Sequence, residues 1–273
     1  MSFKTWLFCF LALGRIVSAE DPLALEVFQK LYKPILQLPN LSMEWTDQSG
    51  GVVINRREFL YESGRFVHKT YHATNNGERL LTTFSYDGEF YYYLFKDVLT
   101  VSTSLKPEDL RIAFRAAFVY TPIFLPLSFS MSKYPANFTP PQLMDQKVWM
   151  LGWTKKMTPI TPSLFEGTDG EEVYRFQFSD DRLKYGERIK GEFLCRWTID
   201  DWFTISNQNE KYQMPTSITL SFPEGHTYFY DCFRMNKAKC KLLSEPVPRN
   251  VFRIPASSAR KTHTYLDAPI QKH

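Results

Sequence analysis

The chain has 273 residues, of which 44% are hydrophobic and 23% charged, with a formal net charge of +4. That balance excludes a disordered tail, and so small a net charge without clustered Lys and Arg excludes a dedicated nucleic-acid binder. Aromatic residues reach 16% while glycine occupies only 12 positions, which excludes collagen-like and Gly-rich low-complexity chains.

Residues 1–19 read as a secretory signal peptide. Lys4 supplies the positive start, residues 5–14 an uncharged apolar run, and Val17-Ser18-Ala19 the small residues of a cleavage site. The run is too short to span a bilayer, which takes about 20 apolar residues. Cleavage after Ala19 removes Lys4 and Arg15 and takes the formal charge from +4 to +2. Residues 20–273 are then expected as a single exported domain in an oxidising compartment. Cys195, Cys232 and Cys240 remain in it, an odd number. A hairpin turn centred on Asn236 would set Cys232 opposite Cys240, which makes them the candidate disulfide, with a reduced pair as the alternative. Cys195 reads as a buried small hydrophobe.

Asp21-Pro22 starts a helix, with a capping carboxylate and then proline at the first helical position. Leu25, Phe28, Leu31, Tyr32 and Ile35 give its apolar stripe, and Pro34 and Pro39 end it. The period then changes to two. Segments 52–62, 65–73, 79–86, 89–95 and 98–104 are rich in β-branched and aromatic residues. Ser63-Gly64, Asn76-Gly77, Asp87-Gly88 and Lys96-Asp97 separate them, so an antiparallel meander is predicted. With Tyr86 facing Glu89 across the Asp87-Gly88 turn, Phe84 pairs with Tyr91 and Thr82 with Tyr93. One face then carries Phe84, Tyr86, Tyr91, Tyr93 and Phe95, the other Leu81, Phe90, Tyr92 and Leu94. Both faces are apolar, so both are covered or one lines a cavity, a plain two-layer core being the bland alternative.

A second helix starts at Pro107-Glu108-Asp109 and buries Leu110, Ala113, Phe114, Ala117 and Phe118. No charge occurs between Arg115 and Lys133. Pro122 and Pro126 break that stretch too often for a membrane span, which leaves a buried core segment or an apolar lid over a cavity. Further strands are expected at 146–153, 171–178, 191–200, 203–209, 214–222, 226–234 and 238–243, with turns at Asp200-Asp201 and Glu224-Gly225. The fold class is mainly β (α+β), a large curved antiparallel sheet of about eleven or twelve strands with a few helices on one side.

The chain contains no Gly-x-Ser-x-Gly elbow, dinucleotide fingerprint, phosphate-binding loop or His-Glu-x-x-His. No catalytic residue, metal or cofactor is assigned. His68 and His72 point to one side of a strand but stand about 13 Å apart, too far for two ~2 Å bonds to one ion, and read as structural or surface histidines. Glu171-Glu172, Asp180-Asp181 and Asp200-Asp201 read as solvated turns, and residues 184–190 as a solvated loop. Asn40-Leu41-Ser42 and Asn137-Phe138-Thr139 fit the glycosylation acceptor pattern.

Several of these features together resemble the LolA/LolB superfamily of bacterial envelope proteins. They are the exported amino terminus, the amphipathic helix ahead of the strand with Trp45, Gly64-Arg65-Phe66, and Phe84-Ser85-Tyr86-Asp87-Gly88-Glu89-Phe90-Tyr91-Tyr92. The closing Phe252-Arg253-Ile254-Pro255-Ala256-Ser257-Ser258-Ala259, followed by Asp267, is similar to the family's carboxyl-terminal pattern. The resemblance implies an unclosed half-barrel of about eleven strands whose hollow, plugged by helices, holds acyl chains of lipoproteins or other lipids. Segment 155–190 looks inserted relative to the small carriers.

The expectation is therefore a periplasmic carrier or binding protein for lipid or acylated lipoprotein, without catalysis and without nucleic acid, touching membranes transiently. Its lining and lid are expected to use Phe84, Tyr91, Tyr93, Phe95, Phe114, Phe118, Phe124, Leu125 and Phe129. An envelope interaction or sensor module on the same fold and an exported enzyme with a dispersed site are the alternatives.

Overall fold

The computed structural model describes residues 21–36, 39–129, 156–191, 193–207, 210–222 and 232–266. The signal segment, the strand expected at 146–153, the Glu224-Gly225 turn and Asn137 lie outside the described residues.

Helix α1 spans Pro22–Leu36. Asp21 caps it: Oδ1 accepts from the Leu23 N–H at 3.0 Å, and Oδ2 accepts from the Met157 N–H at 3.1 Å. The Met157 and Leu23 donors lower the Asp21 pKa. Pro34 lies inside the last turn rather than ending the helix, which forgoes one intrahelical bond. Val27, Phe28, Leu31, Tyr32 and Ile35 are buried on its inner side.

Strands β1 (Leu41–Ser49), β2 (Val52–Glu62), β3 (Arg65–Thr74), β4 (Gly77–Tyr86), β5 (Tyr91–Phe95) and β6 (Val98–Ser102) form the predicted meander with one strand in front of it. Helix α2 (Glu108–Val119) and the short α3 (Leu125–Phe129) follow. A second meander runs through β7 (Lys156–Thr161), β8 (Leu164–Asp169), β9 (Glu172–Ser179), β10 (Arg182–Lys190), β11 (Phe193–Asn207), β12 (Glu210–Ser221) and β13 (Cys232–Leu242). β1 pairs antiparallel with β13 and fuses the two meanders. A last strand, β14 (Lys261–Tyr265), lies parallel to β6. Among the described residues these fourteen strands make one unclosed curved sheet, ordered β14-β6-β5-β4-β3-β2-β1-β13-β12-β11-β10-β9-β8-β7.

Several sequence expectations change. The sheet has more strands than the eleven or twelve expected: segment 155–190 contributes β7, β8 and β10 beside β9, the strand expected at 171–178, and β14 is added alongside β6. Residues 184–190 belong to β10, not to a solvated loop. Asp200-Asp201 is a bulge inside the continuous β11, where Asp200 Oδ2 accepts from Thr219 Oγ1 at 2.7 Å. Residues 235–238 likewise lie inside the continuous β13. Eight positions along one strand separate Cys232 from Cys240 by about 25 Å, whereas a disulfide needs Cα atoms within about 7 Å, so the expected bridge does not form. Cys240 is free and packs its sulfur 3.8 Å from Met214 Sδ.

The Asp87-Gly88 connection also differs. Tyr86 pairs with Tyr91, Phe84 with Tyr93 and Thr82 with Phe95, two residues off the expected register. The cause is the Asp87 side chain, whose Oδ1 accepts from the N–H groups of both Glu89 and Phe90 at 2.9 Å and so holds a longer loop. A slip of two preserves the faces, so the aromatic set on each side is unchanged.

Both faces of the meander are covered. Helix α2 packs over β4 and β5, and α3 packs against α1 and α2 on the same concave side. On the convex side the chain leaving β13 is strapped down. The Val247 N–H donates to Glu62 Oε1 at 2.7 Å, the Arg65 guanidinium stacks 4.7 Å over the buried Phe252 ring, and Arg253 Nε donates to Asp87 Oδ2 at 2.7 Å. Farther on, the Arg260 N–H reaches Asp97 O and delivers the chain to β14.

In the second meander Gly186 lies opposite Trp197, a fully buried ring that occupies the space of the missing side chain. A Cβ there would stand 2.3 Å from Trp197 Cζ2. Gly186→Ala should therefore lower unfolding free energy by about 1–3 kcal/mol in urea titrations, through overpacking. The Asp87 clamp makes a second prediction. Burial alone would raise the Asp87 pKa, but the Phe90 and Glu89 N–H groups and Arg253 outweigh it, and the net shift is downward. A depressed carboxyl stabilises the fold above its unfolded pKa and loses that contribution as pH falls through the folded value. Asp87→Asn should cost about 2–3 kcal/mol at pH 7, with the difference vanishing in acid, and should make residues 247–260 cleavable in limited proteolysis.

Candidate functional site

The pleat assigns the concave side its chemistry. Leu41, Met43, Trp45 and Asp47 of β1 face inward, and the register lays Tyr61, Phe59, Arg57 and Asn55 of β2 beside them in turn. Across β3 the series continues as Phe66, His68, Thr70 and His72. The hollow is therefore apolar and aromatic at the end where β2 turns into β3, and polar at the end where β1 turns into β2.

The apolar end brings most of the expected lining and lid together. Phe84, Tyr91, Phe114, Phe118, Phe124 and Leu125 are all buried in one cluster. Phe118 meets Phe66 edge-on at 5.2 Å and Phe124 at 4.9 Å, and Phe114 meets Phe84 at 6.0 Å. Helix side chains thus fill the hollow over the sheet. Tyr93 and Phe95 stack on each other at 6.2 Å on the half-covered rim. The Phe129 side chain lies outside the described residues.

Between α2 and strands β2 to β5 a cavity of about 180 Å³ remains. Ala113, Ala116 and Ala117 form its roof, Phe84 and Tyr93 its apolar wall, and Arg57, His68 and Thr70 its polar floor. The small alanine side chains leave the space between α2 and the sheet unfilled here. Arg57 Nε donates to Asp47 Oδ2 at 2.5 Å, its Nη1 donates to Thr70 Oγ1 at 3.3 Å, and the Tyr120 ring stacks 4.7 Å from its Cζ. Asn55 Nδ2 adds a hydrogen bond to Asp47 Oδ2 at 3.3 Å. Asp47 is fully buried, and burial pushes its pKa up against the pull of Arg57. Among the described residues the Nε2 of His68 has no hydrogen-bond partner. His68 sits between the rings of Trp45 and Phe59, at 5.8 and 6.5 Å. His72 is exposed, with Nδ1 3.2 Å from Asn55 Oδ1.

A second hollow, a groove of about 360 Å³, lies beside α1 and the β9–β10 turn. Lys30 there binds Glu26 at 3.0 Å and Asp181 at 3.4 Å, an exposed ion-pair cluster over the Phe165 and Phe178 rings. Asp180-Asp181 is the turn expected, with both residues at positive φ. Glu172, by contrast, is no solvated turn residue. It is buried and accepts from Arg188, from Lys190 and from Tyr174.

No group of three metal-ligating side chains occurs among the described residues, and no described helix is long and apolar enough to cross a membrane. Sequence reading missed Asp47 and Arg57. The signal for both was a charged residue on the inward phase of a strand whose other inward residues are aromatic or aliphatic.

Burial, and secondarily the Arg57 charge, hold the His68 pKa well below its ordinary 6.5. The unfolded chain takes up a proton below that pH which the folded chain refuses, so this residue makes stability fall as pH drops beneath about 6.5. His68→Phe should remove up to about 1.4 kcal/mol per pH unit of that slope between pH 6.5 and 5, read from urea unfolding at each pH. Compared with known protein families the chain matches none, and no curated protein matches it.

Proposed function

We propose that the protein is an exported carrier or binding protein that holds an acyl chain in the hollow beneath α2 and α3, without catalysis. The observation that carries this reading is the cavity of about 180 Å³, with an apolar wall and a polar floor, that continues toward a hollow filled only by rings and is roofed by a helix whose inner side is alanine and phenylalanine. Enclosing one methylene contributes about 0.8 kcal/mol, so an acyl chain needs no charged contact along its length. Phe114, Phe118 and Phe124 stand where such a chain would run, and loading displaces them. The amino-terminal segment supports export, and the family resemblance supports the periplasm and a lipid or acylated lipoprotein as cargo.

Val52, Val53, Leu80 and Leu81 are exposed, and all stand at the end of the sheet where the cavity has its polar floor. That arrangement favours transient contact with a membrane during transfer. Gently purified mature protein should release an acyl lipid at near one-to-one stoichiometry on organic extraction and mass spectrometry. Protein that is empty, and still empty after incubation with membranes, overturns the reading. Ala116→Trp, which fills the cavity from its roof, should weaken binding of a fluorescent acyl probe at least tenfold.

A further inference from the structure

The polar end of the cavity is balanced in charge but unfinished in hydrogen bonding. Asp47 and Arg57 cancel each other across 2.5 Å. A guanidinium carries five N–H donors, and Arg57 spends Nε on Asp47 and one Nη1 donor on Thr70. His68, 2% exposed, lines the cavity with its Nε2 unpartnered. Buried polar groups are normally paired, so an unpaired imidazole nitrogen beside unspent guanidinium donors marks a place for a polar ligand group.

We propose that this end of the cavity selects an acyl lipid with an uncharged, hydroxyl-bearing head, of the monoacylglycerol type, over the anion of a free fatty acid. The inference rests on the carrier reading and names its ligand class. A hydroxyl can donate to a bare imidazole nitrogen or accept from a protonated one, and a second hydroxyl or ester carbonyl can accept from Arg57 Nη2. A carboxylate satisfies the same guanidinium but adds a negative charge to a site where Asp47 has already neutralised it. Buried charge without a partner is strongly disfavoured. The groups around the site reinforce this. His68 is held neutral by its burial, Tyr120 stacks on Arg57, and Tyr93 on the cavity wall is kept protonated by its own burial and by the charge of Asp109 on α2.

Calorimetric titration of the delipidated mature protein with 1-oleoylglycerol and with oleate, at pH 7.5 and below their aggregation concentrations, tests it. 1-Oleoylglycerol is expected to bind at least tenfold more tightly. His68→Phe should bring the ratio to within about twofold. Asp47→Asn, which leaves the Arg57 charge unbalanced, should shift preference toward oleate by tenfold or more. Should His68→Phe fail to fold, the wild-type ratio and Asp47→Asn decide the matter. Equal binding of the two lipids, or tighter oleate binding by the wild type, overturns the selectivity while leaving the carrier reading standing. Binding of neither lipid overturns both.

Discussion

The pairing of β1 with β13 is the contact on which the architecture depends. It joins the first strand of one meander to the last strand of the other, and Thr46 Oγ1 donates to Asn236 O across 190 residues of chain. Each meander is otherwise built from neighbours in sequence, which is the inexpensive way to build a sheet. Without the seam there would be two smaller sheets, each with an apolar face and no common hollow. With it, the intervening helices have one place to go. They follow β6 and lie on the concave side, so residues 108–129, which come between the two meanders in the chain, become part of the core.

That topology explains why a chain with so many aromatic residues needs little else. Rings projecting inward from β2 to β4 meet rings of α2 and Phe124 edge-on, a packing that uses shape and quadrupole together. On the convex side of β8 to β11 a different order prevails. Glu166, Arg175, Glu187 and Arg196 are direct cross-strand neighbours with alternating charge. Opposite charges placed directly across a ladder stabilise it, whereas a register slip would set side chains against the wrong partners. Such a ladder therefore specifies alignment more than it adds energy.

Local patterns carried most of the fold. The period-two segments, their turn residues and the stripes of α1 and α2 were readable because each reports only on its own few residues. What failed was longer in range or subtler in chemistry. Asp200-Asp201 looks like a turn by composition and is a bulge, because β12 pairs with the strand on both sides of it, Ile199 with Ile218 and Trp202 with Pro215. Residues 235–238 carry turn-like Asn and Lys yet stay within the strand, because β1 pairs on either side of an irregularity there, Thr46 with Asn236 and Glu44 with Lys239. The Asp87 loop hid its register in a side chain that caps two backbone donors. As for the site, aromatic content pointed to the apolar hollow, but the Asp47–Arg57–His68 end depends on three strands in register, and no spacing within one segment reveals that.

The parallel placement of β14 sets an order of events. Every other strand is paired along both sides by chain made close in time or by the seam, except at the β7 edge, where Pro159 interrupts the row of donors. The free side of β6 is different: its cover is the last strand in chain order, delivered by the strap that first fastens Phe252 and Arg253 beneath the meander. Until synthesis reaches that strap, β6 offers open backbone groups to any extended segment nearby.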